Sequence, residues 1–274
     1  METCYRHPGR ETGVACSNCG RPICPDCMTP TPVGMRCPEC APGPSRVQRA
    51  ARASNLSPDT PVVTYAVMVV CAIVFLGCLA SGMTMLGDNL FESELARDAA
   101  LAGPLVADGD IWRVVTYSFV HSGIIHIGFN LFILWQLGSM LEPAIGRVQF
   151  AVVYFVSVLS GALGALLLDP NVGTVGASGG VFGLASAAIF IMRARGIDPM
   201  QSGLPLFIGL NLLITFTLPH VSIGGHLGGL AGGALAGLAL EELPRAVRGL
   251  PRFAPTLAAA AVGVVAVAGC MAVA

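Results

Sequence analysis

Seven near-continuous apolar stretches dominate this chain, at roughly 61–80, 123–141, 148–168, 178–192, 203–219, 224–240 and 254–273. An α-helix rises about 1.5 Å per residue, so about 20 apolar residues cross the ~30 Å hydrocarbon core of a bilayer. One such stretch alone could be a buried helix of a soluble protein. Seven in one chain make that reading untenable. Composition agrees, because 54% of the 274 residues are hydrophobic and 11% are charged, whereas soluble domains carry about 25% charged residues. The formal net charge is −1 and no run of basic residues is present, which argues against nucleic acid as a partner. The fold class expected is an all-α polytopic membrane protein.

The amino-terminal end obeys different physics. Seven of the ten cysteines lie in residues 4–40, arranged as Cys4-x2-His7, Cys16-x2-Cys19, Cys24-x2-Cys27 and Cys37-x2-Cys40. No apolar core of the kind a secretory signal needs occurs there. Four close pairs supply eight ligands, enough for two tetrahedral zinc sites of the Cys3His and Cys4 kind. A tight turn, aided by Gly20 and Pro38, points both side chains of a pair at one ion. About forty residues cannot bury a self-sufficient core, so the metal would supply the folding free energy. A disulfide framework is the alternative, but a regular succession of x2 pairs that includes a histidine suits zinc better. The spacing resembles a B-box-type zinc finger, with cysteines where that family ends on a histidine pair. The resemblance implies interleaved pairs, with Cys4, His7, Cys24 and Cys27 on one ion and Cys16, Cys19, Cys37 and Cys40 on the other. Spacing alone also permits sequential pairing.

Organisation follows: a zinc-binding head at 1–42, a linker at 43–59 with some helix at 47–53, a six-helix core at 60–241, and a loop with a seventh helix at 242–274. Arg46, Arg49, Arg52, Arg147, Arg193, Arg195, Arg245, Arg248 and Arg252 fall on one side of the seven stretches, against Arg97 and Arg113 on the other. The excess of arginine marks the cytosolic side. The amino terminus is then cytosolic, where reducing conditions keep thiols available for metal. The expected location is the plasma (inner) membrane.

With that topology the second, fourth and sixth stretches begin on the outer side, and there polar residues interrupt them: His126 and Asn130, Ser178, and His226. Ionisable groups inside membrane segments are rare and mark function by default. The fourth stretch is short, so Ser178 sits below the outer surface and 171–177 is irregular backbone at membrane depth. Such backbone is tolerated only when protein or a water-filled cavity shields it. A serine needs a base to become nucleophilic, and His226 heads a glycine ladder (Gly225, Gly229, Gly233, Gly237) suited to close helix approach. Gly179, Gly180 and Gly183 give the fourth stretch its own small-residue face. No Asp or Glu lies within the fourth to sixth stretches, so a Ser178–His226 dyad without a carboxylate is expected. Phe182 would hold the imidazole, and His126, Asn130 and the Ser178 N–H would face an oxyanion.

These residues resemble the rhomboid family of intramembrane serine proteases. The family's H-x4-H-x3-N appears as His121, His126 and Asn130, its GxSG as Gly176–Gly179, and its H-x2-G-x3-G as His226, Gly229 and Gly233. Trp112-Arg113 matches a WR pair that the family uses structurally in a membrane-embedded loop, and Phe182 stands where an aromatic, often Tyr, stacks on the catalytic histidine. The resemblance covers roughly residues 60–240. It implies a six-plus-one helical bundle and cleavage of transmembrane segments of other membrane proteins near their outer ends. Small residues at the cut and no catalytic cofactor are also implied. A catalytically inactive, client-binding relative is the alternative. A channel or transporter would need charges along a path through the inner half, which are missing. The bilayer and transmembrane substrates are the expected partners, with a cytosolic protein for the zinc head.

Overall fold

The computed structural model describes residues 2–31, 34–41, 59–217, 221–247 and 249–274. The helix expected at 47–53 lies outside these residues. Two compact units divide at Pro58 and Asp59.

The first unit is built from two small hairpins. Strand β1 (Glu2–Cys4) pairs antiparallel with β2 (His7–Thr12), and β3 (Thr29–Thr31) with β4 (Gly34–Arg36). Its interior holds Ile23 and the thiols of Cys4, Cys16, Cys24, Cys27 and Cys37. Such a core is too small to outweigh the chain entropy of folding. Gly20 adopts φ +73°, and its N–H donates to the Cys16 carbonyl at 2.8 Å, which closes the turn around the second cysteine pair. Arg10–Asp26 and Arg21–Glu39 ion pairs lie exposed and contribute little.

The second unit contains helices α1 (Val62–Ala80), α2 (Ile124–Ile145), α3 (Arg147–Leu168), α4 (Ser178–Ala194), α5 (Leu204–Thr217), α6 (Ile223–Glu241) and α7 (Ala254–Val273). Each coincides with one apolar stretch of the sequence. Among the described residues, five helices are long and apolar enough to cross a membrane: α1, α2, α3, α7 and the run that begins with α6. The other two are shorter, 17 residues in α4 and 14 in α5. The protein is a multi-pass helical membrane protein. Large apolar side chains such as Ile73, Leu76, Ile125, Val264 and Val265 point outward, the arrangement lipid requires. Helix α4 is the enclosed one, with every residue from Gly179 to Ala188 buried.

Glycine explains how α6 packs. A Cβ on Gly229 would overlap the Gly179 carbonyl, and one on Gly233 would overlap that of Gly183. The expected ladder therefore lies against α4. A second ladder that the sequence reading left out, Gly224, Gly228 and Gly232, meets Gly164 and Ser160 of α3 in the same way. Helix α6 is thus wedged between two helices at backbone contact, a geometry open only to residues without side chains.

Helix α2 runs past the expected end at Leu141, through Glu142 and Pro143 to Ile145. Glu142 is 1% exposed and accepts hydrogen bonds from the Val63 N–H (2.8 Å), the Thr64 N–H (2.9 Å) and the Thr64 hydroxyl (2.8 Å). The first N–H groups of a helix have no partner within it, so this carboxylate caps α1 from a neighbouring helix. In the connection between α1 and α2, Arg113 is no free surface charge. It is buried, pairs with Asp110 at 2.9 Å, and donates to the carbonyls of Arg97 (2.6 Å) and Ala100 (2.9 Å).

Candidate active site

Irregular backbone leads into α4, and the protein itself satisfies it. Leu101 and Thr174 exchange two backbone hydrogen bonds at 2.9 and 3.0 Å, Gly103 N–H donates to the Pro170 carbonyl at 2.7 Å, and Gly176 N–H to the Tyr117 carbonyl at 3.0 Å. The Tyr117 hydroxyl donates to the Val158 carbonyl at 2.7 Å, which ties the connection to α3. His121 is fully buried. Its Nδ1–H donates to the Phe119 carbonyl at 3.2 Å, which leaves Nε2 to accept the Ala177 N–H at 3.4 Å. His121 therefore shapes the approach to Ser178 and takes no part in the cavity.

At the start of α4, Ser178 Oγ lies 2.8 Å from His226 Nε2 of α6. Phe182, one turn further on, stacks on the His226 ring with centroids 4.3 Å apart and planes 25° from parallel. The other face of the site is α2. His126 Nδ1 accepts the Ser122 N–H at 3.3 Å and lies 3.0 Å from the Ser122 hydroxyl. A neutral imidazole that accepts at Nδ1 carries its proton on Nε2, so His126 presents a donor. Gly176, at φ +121°, leaves room for that ring, since a Cβ there would lie 2.8 Å from His126 Nε2 and Cε1. Asn130 uses one amide N–H on the His126 carbonyl at 2.9 Å and keeps a second.

All of these groups open on one cavity of about 640 Å³, lined by Ser178, His226, His126, Asn130, Phe182 and Gly176 among apolar side chains including Phe129, Ile133 and Phe207. The structure thus brings together the residues named from sequence on α2, α4 and α6. Gly179, Gly229 and Gly233 lie at the α4–α6 contact that fixes the spacing of Ser178 and His226.

One side chain of this constellation went unread in the sequence. Thr215 of α5 is 1% exposed, and its Oγ1 lies 2.6 Å from His226 Nδ1. No carboxylate occupies that position. Thr215 shares its apolar run with Asn211 and Thr217, and nothing in the sequence singles out its hydroxyl, eleven residues before the histidine.

In the first unit, Cys4, His7, Cys24 and Cys27 offer ligand atoms all within 4.8 Å of one another, and so do Cys16, Cys19, Cys37 and Cys40. His7 Nδ1 lies 3.3, 3.4 and 3.8 Å from the sulfurs of Cys24, Cys27 and Cys4. Cys19 and Cys37 sulfurs are 3.8 Å apart. A tetrahedral ion with metal–sulfur bonds of ~2.3 Å and metal–nitrogen bonds of ~2.1 Å separates its ligands by about 3.6–3.8 Å. The clusters have the dimensions of metal sites, their pairs interleave, and every described cysteine is a free thiol. Both groups could hold a metal ion.

A helical membrane protein that gathers a serine, two histidines and an asparagine around one cavity is the class that fold and site define. Residues 108–242 match the Rhomboid domain family model. The chain is 32% identical over 134 residues to the putative rhomboid protease YdcA of Bacillus subtilis (strain 168), covering 47% of this chain and 67% of that protein. It is 29% identical over 202 residues to the rhomboid protease GluP of the same organism, covering 73% of this chain and 38% of GluP. Rhomboid-like protease 1 of Toxoplasma gondii is 34% identical over 169 residues, covering 59% of this chain and 57% of that protein. The chain thus spans less than two thirds of the latter two relatives. It belongs to the rhomboid family.

Proposed function

We propose that this protein is an intramembrane serine endopeptidase that cleaves transmembrane segments of other membrane proteins near their outer ends, at small residues. The 2.8 Å approach of Ser178 Oγ to His226 Nε2 carries the proposal. Ser178 attacks the peptide carbonyl carbon while His226 Nε2 takes the hydroxyl proton. The carbonyl oxygen, now bearing the negative charge, faces His126 Nε2–H, the spare Asn130 N–H and the Ser178 N–H at the positive end of α4. His226 then protonates the leaving amine nitrogen as the carbon–nitrogen bond breaks. Water, deprotonated by the same imidazole, hydrolyses the acyl-enzyme and restores Ser178.

The bundle is read as a six-plus-one set of membrane helices, with α4 and α5 as short spans and α7 as the added one. Helix α4 is about 25 Å long at ~1.5 Å per residue, less than the ~30 Å core, so Ser178 lies below the outer surface. Arginine distribution supports a cytosolic amino terminus, and the membrane proposed is the plasma membrane. The head would bind two structural zinc ions, one by Cys4, His7, Cys24 and Cys27 and one by Cys16, Cys19, Cys37 and Cys40. Their coordination energy would hold its two hairpins together. A cytosolic protein is the partner proposed for it.

Labelling of detergent-purified protein with a fluorophosphonate serine probe tests the activity. Wild type labels, and Ser178→Ala and His226→Ala do not. Undiminished labelling of Ser178→Ala would remove the proposed nucleophile.

A further inference from the structure

We infer that Thr215 is a positioning residue of the active site, which sets the tautomer and orientation of His226 in the place where a soluble triad uses a carboxylate. The inference rests on the proteolytic reading above and deepens it. A general base must meet the serine with a bare Nε2, so the imidazole proton must sit on Nδ1. Stacking on Phe182 fixes the plane of the ring but leaves the choice of tautomer open, because both nitrogens lie in that plane.

The hydrogen bonds around Thr215 make the choice. Its hydroxyl carries one proton, and Thr215 Oγ1 lies 2.7 Å from the Asn211 carbonyl. A carbonyl can only accept, so the Thr215 proton goes there, one helical turn back along α5, as threonine hydroxyls in helices do. Toward His226 Nδ1, 2.6 Å away, the oxygen is then left with lone pairs only. Nδ1 must donate. Nε2 is thereby bare, and it faces the Ser178 hydroxyl at 2.8 Å. One chain of polar contacts, Asn211 carbonyl to Thr215 to His226 to Ser178, aligns every donor with an acceptor in the sense that proton abstraction needs.

A neutral hydroxyl cannot stabilise the imidazolium as a carboxylate would, but it also adds no charge to a site enclosed by membrane helices. Thr215 is 1% exposed, so water does not readily replace it, and a valine of nearly the same shape would leave Nδ1 facing methyl groups. The oxygen comes from α5, whereas the imidazole is carried by α6, so the tautomer depends on how these two helices meet.

Thr215→Val and Thr215→Ser, compared with wild type as full-length protein in detergent, test the assignment. With a transmembrane peptide substrate, Thr215→Val lowers kcat roughly tenfold, the worth of one hydrogen bond to the reacting imidazole. KM stays unchanged, and Thr215→Ser restores kcat to near the wild-type value. Imidazole nitrogen NMR of histidine-labelled protein, with the His226 signals assigned by His226→Ala, shows Nδ1–H in wild type and Thr215→Ser. In Thr215→Val it shows a mixture of tautomers. The NMR readout stands apart from turnover. An inactive wild type would defeat the proteolytic reading while the tautomer still decides the role of Thr215. An unchanged tautomer in Thr215→Val, or a kcat loss that serine fails to restore, overturns the inference.

Discussion

Gly176 and His126 occupy one another's space: the imidazole of His126 stands where a Cβ on Gly176 would project, 2.8 Å from that position. Gly176 also adopts φ +121°, a region that L side chains rarely enter. Two independent constraints therefore fall on a residue two places before the proposed nucleophile. Gly176→Ala must either twist the strand-like approach to α4 or push His126 away from the cavity. Because the loss of one oxyanion donor costs about 10²–10³ in kcat, turnover of a transmembrane substrate falls at least ~100-fold. The protein still folds, as thermal unfolding in detergent will show. Near-normal turnover by Gly176→Ala would mean that the ring is not held in its role by this contact.

His126 should act as a donor and never as the base. Ser122 N–H occupies its Nδ1 at 3.3 Å, so Nε2–H points at the cavity and has no proton-accepting capacity. His126→Ala accordingly lowers kcat by about 10²-fold yet keeps Ser178 reactive enough to be labelled, slowly, by a fluorophosphonate. His226→Ala loses labelling altogether. Equal loss of labelling in both variants would erase the distinction between base and oxyanion donor.

How far the sequence reveals this arrangement depends on the range of the interaction concerned. Helices α1 to α7 follow from near-continuous apolar runs, and Ser178 and His226 stand out because polar groups in such runs are costly. Thr215 and Glu142 do not stand out, for different reasons. Threonine is nearly apolar in a helix, and its meaning comes only from the imidazole that α6 brings beside it. Glu142 lies just past the apolar run that ends at Leu141, and its partners on α1 are 78 and 79 residues away. The second glycine ladder, Gly224, Gly228 and Gly232, is visible as spacing, yet nothing in spacing says that α6 has close neighbours on two sides. In the head, pair spacing suggests metal but permits two partitions. Contact of His7 with Cys24 and Cys27 favours the interleaved one.

Glu142 should matter for stability and little for chemistry. It satisfies two backbone N–H groups and one hydroxyl at the start of α1, far along α2 from His126. Glu142→Ala strands these buried donors at about 1–3 kcal/mol each before relaxation, and the net loss expected is roughly 2–3 kcal/mol. Thermal unfolding in detergent reads this as a lowered midpoint. Glu142→Gln, which keeps one acceptor oxygen, falls between. Turnover per folded molecule stays close to wild type in both variants.

Metal content tests the head independently of the membrane unit. Two four-ligand clusters predict about two zinc ions per chain when protein purified under reducing conditions is measured by elemental analysis. Because the pairs interleave, Cys24→Ser removes a ligand from the cluster that contains His7, and Cys37→Ser removes one from the other. Each single variant then retains about one zinc. A strong chelator strips both and exposes residues 1–41 to protease, since the buried residues there are chiefly the thiols themselves and a core of that size does not hold without metal. Fluorophosphonate labelling of Ser178 persists after chelation, because no metal enters the proposed chemistry. Absence of metal from the reduced protein would defeat the zinc assignment and leave the serine site untouched.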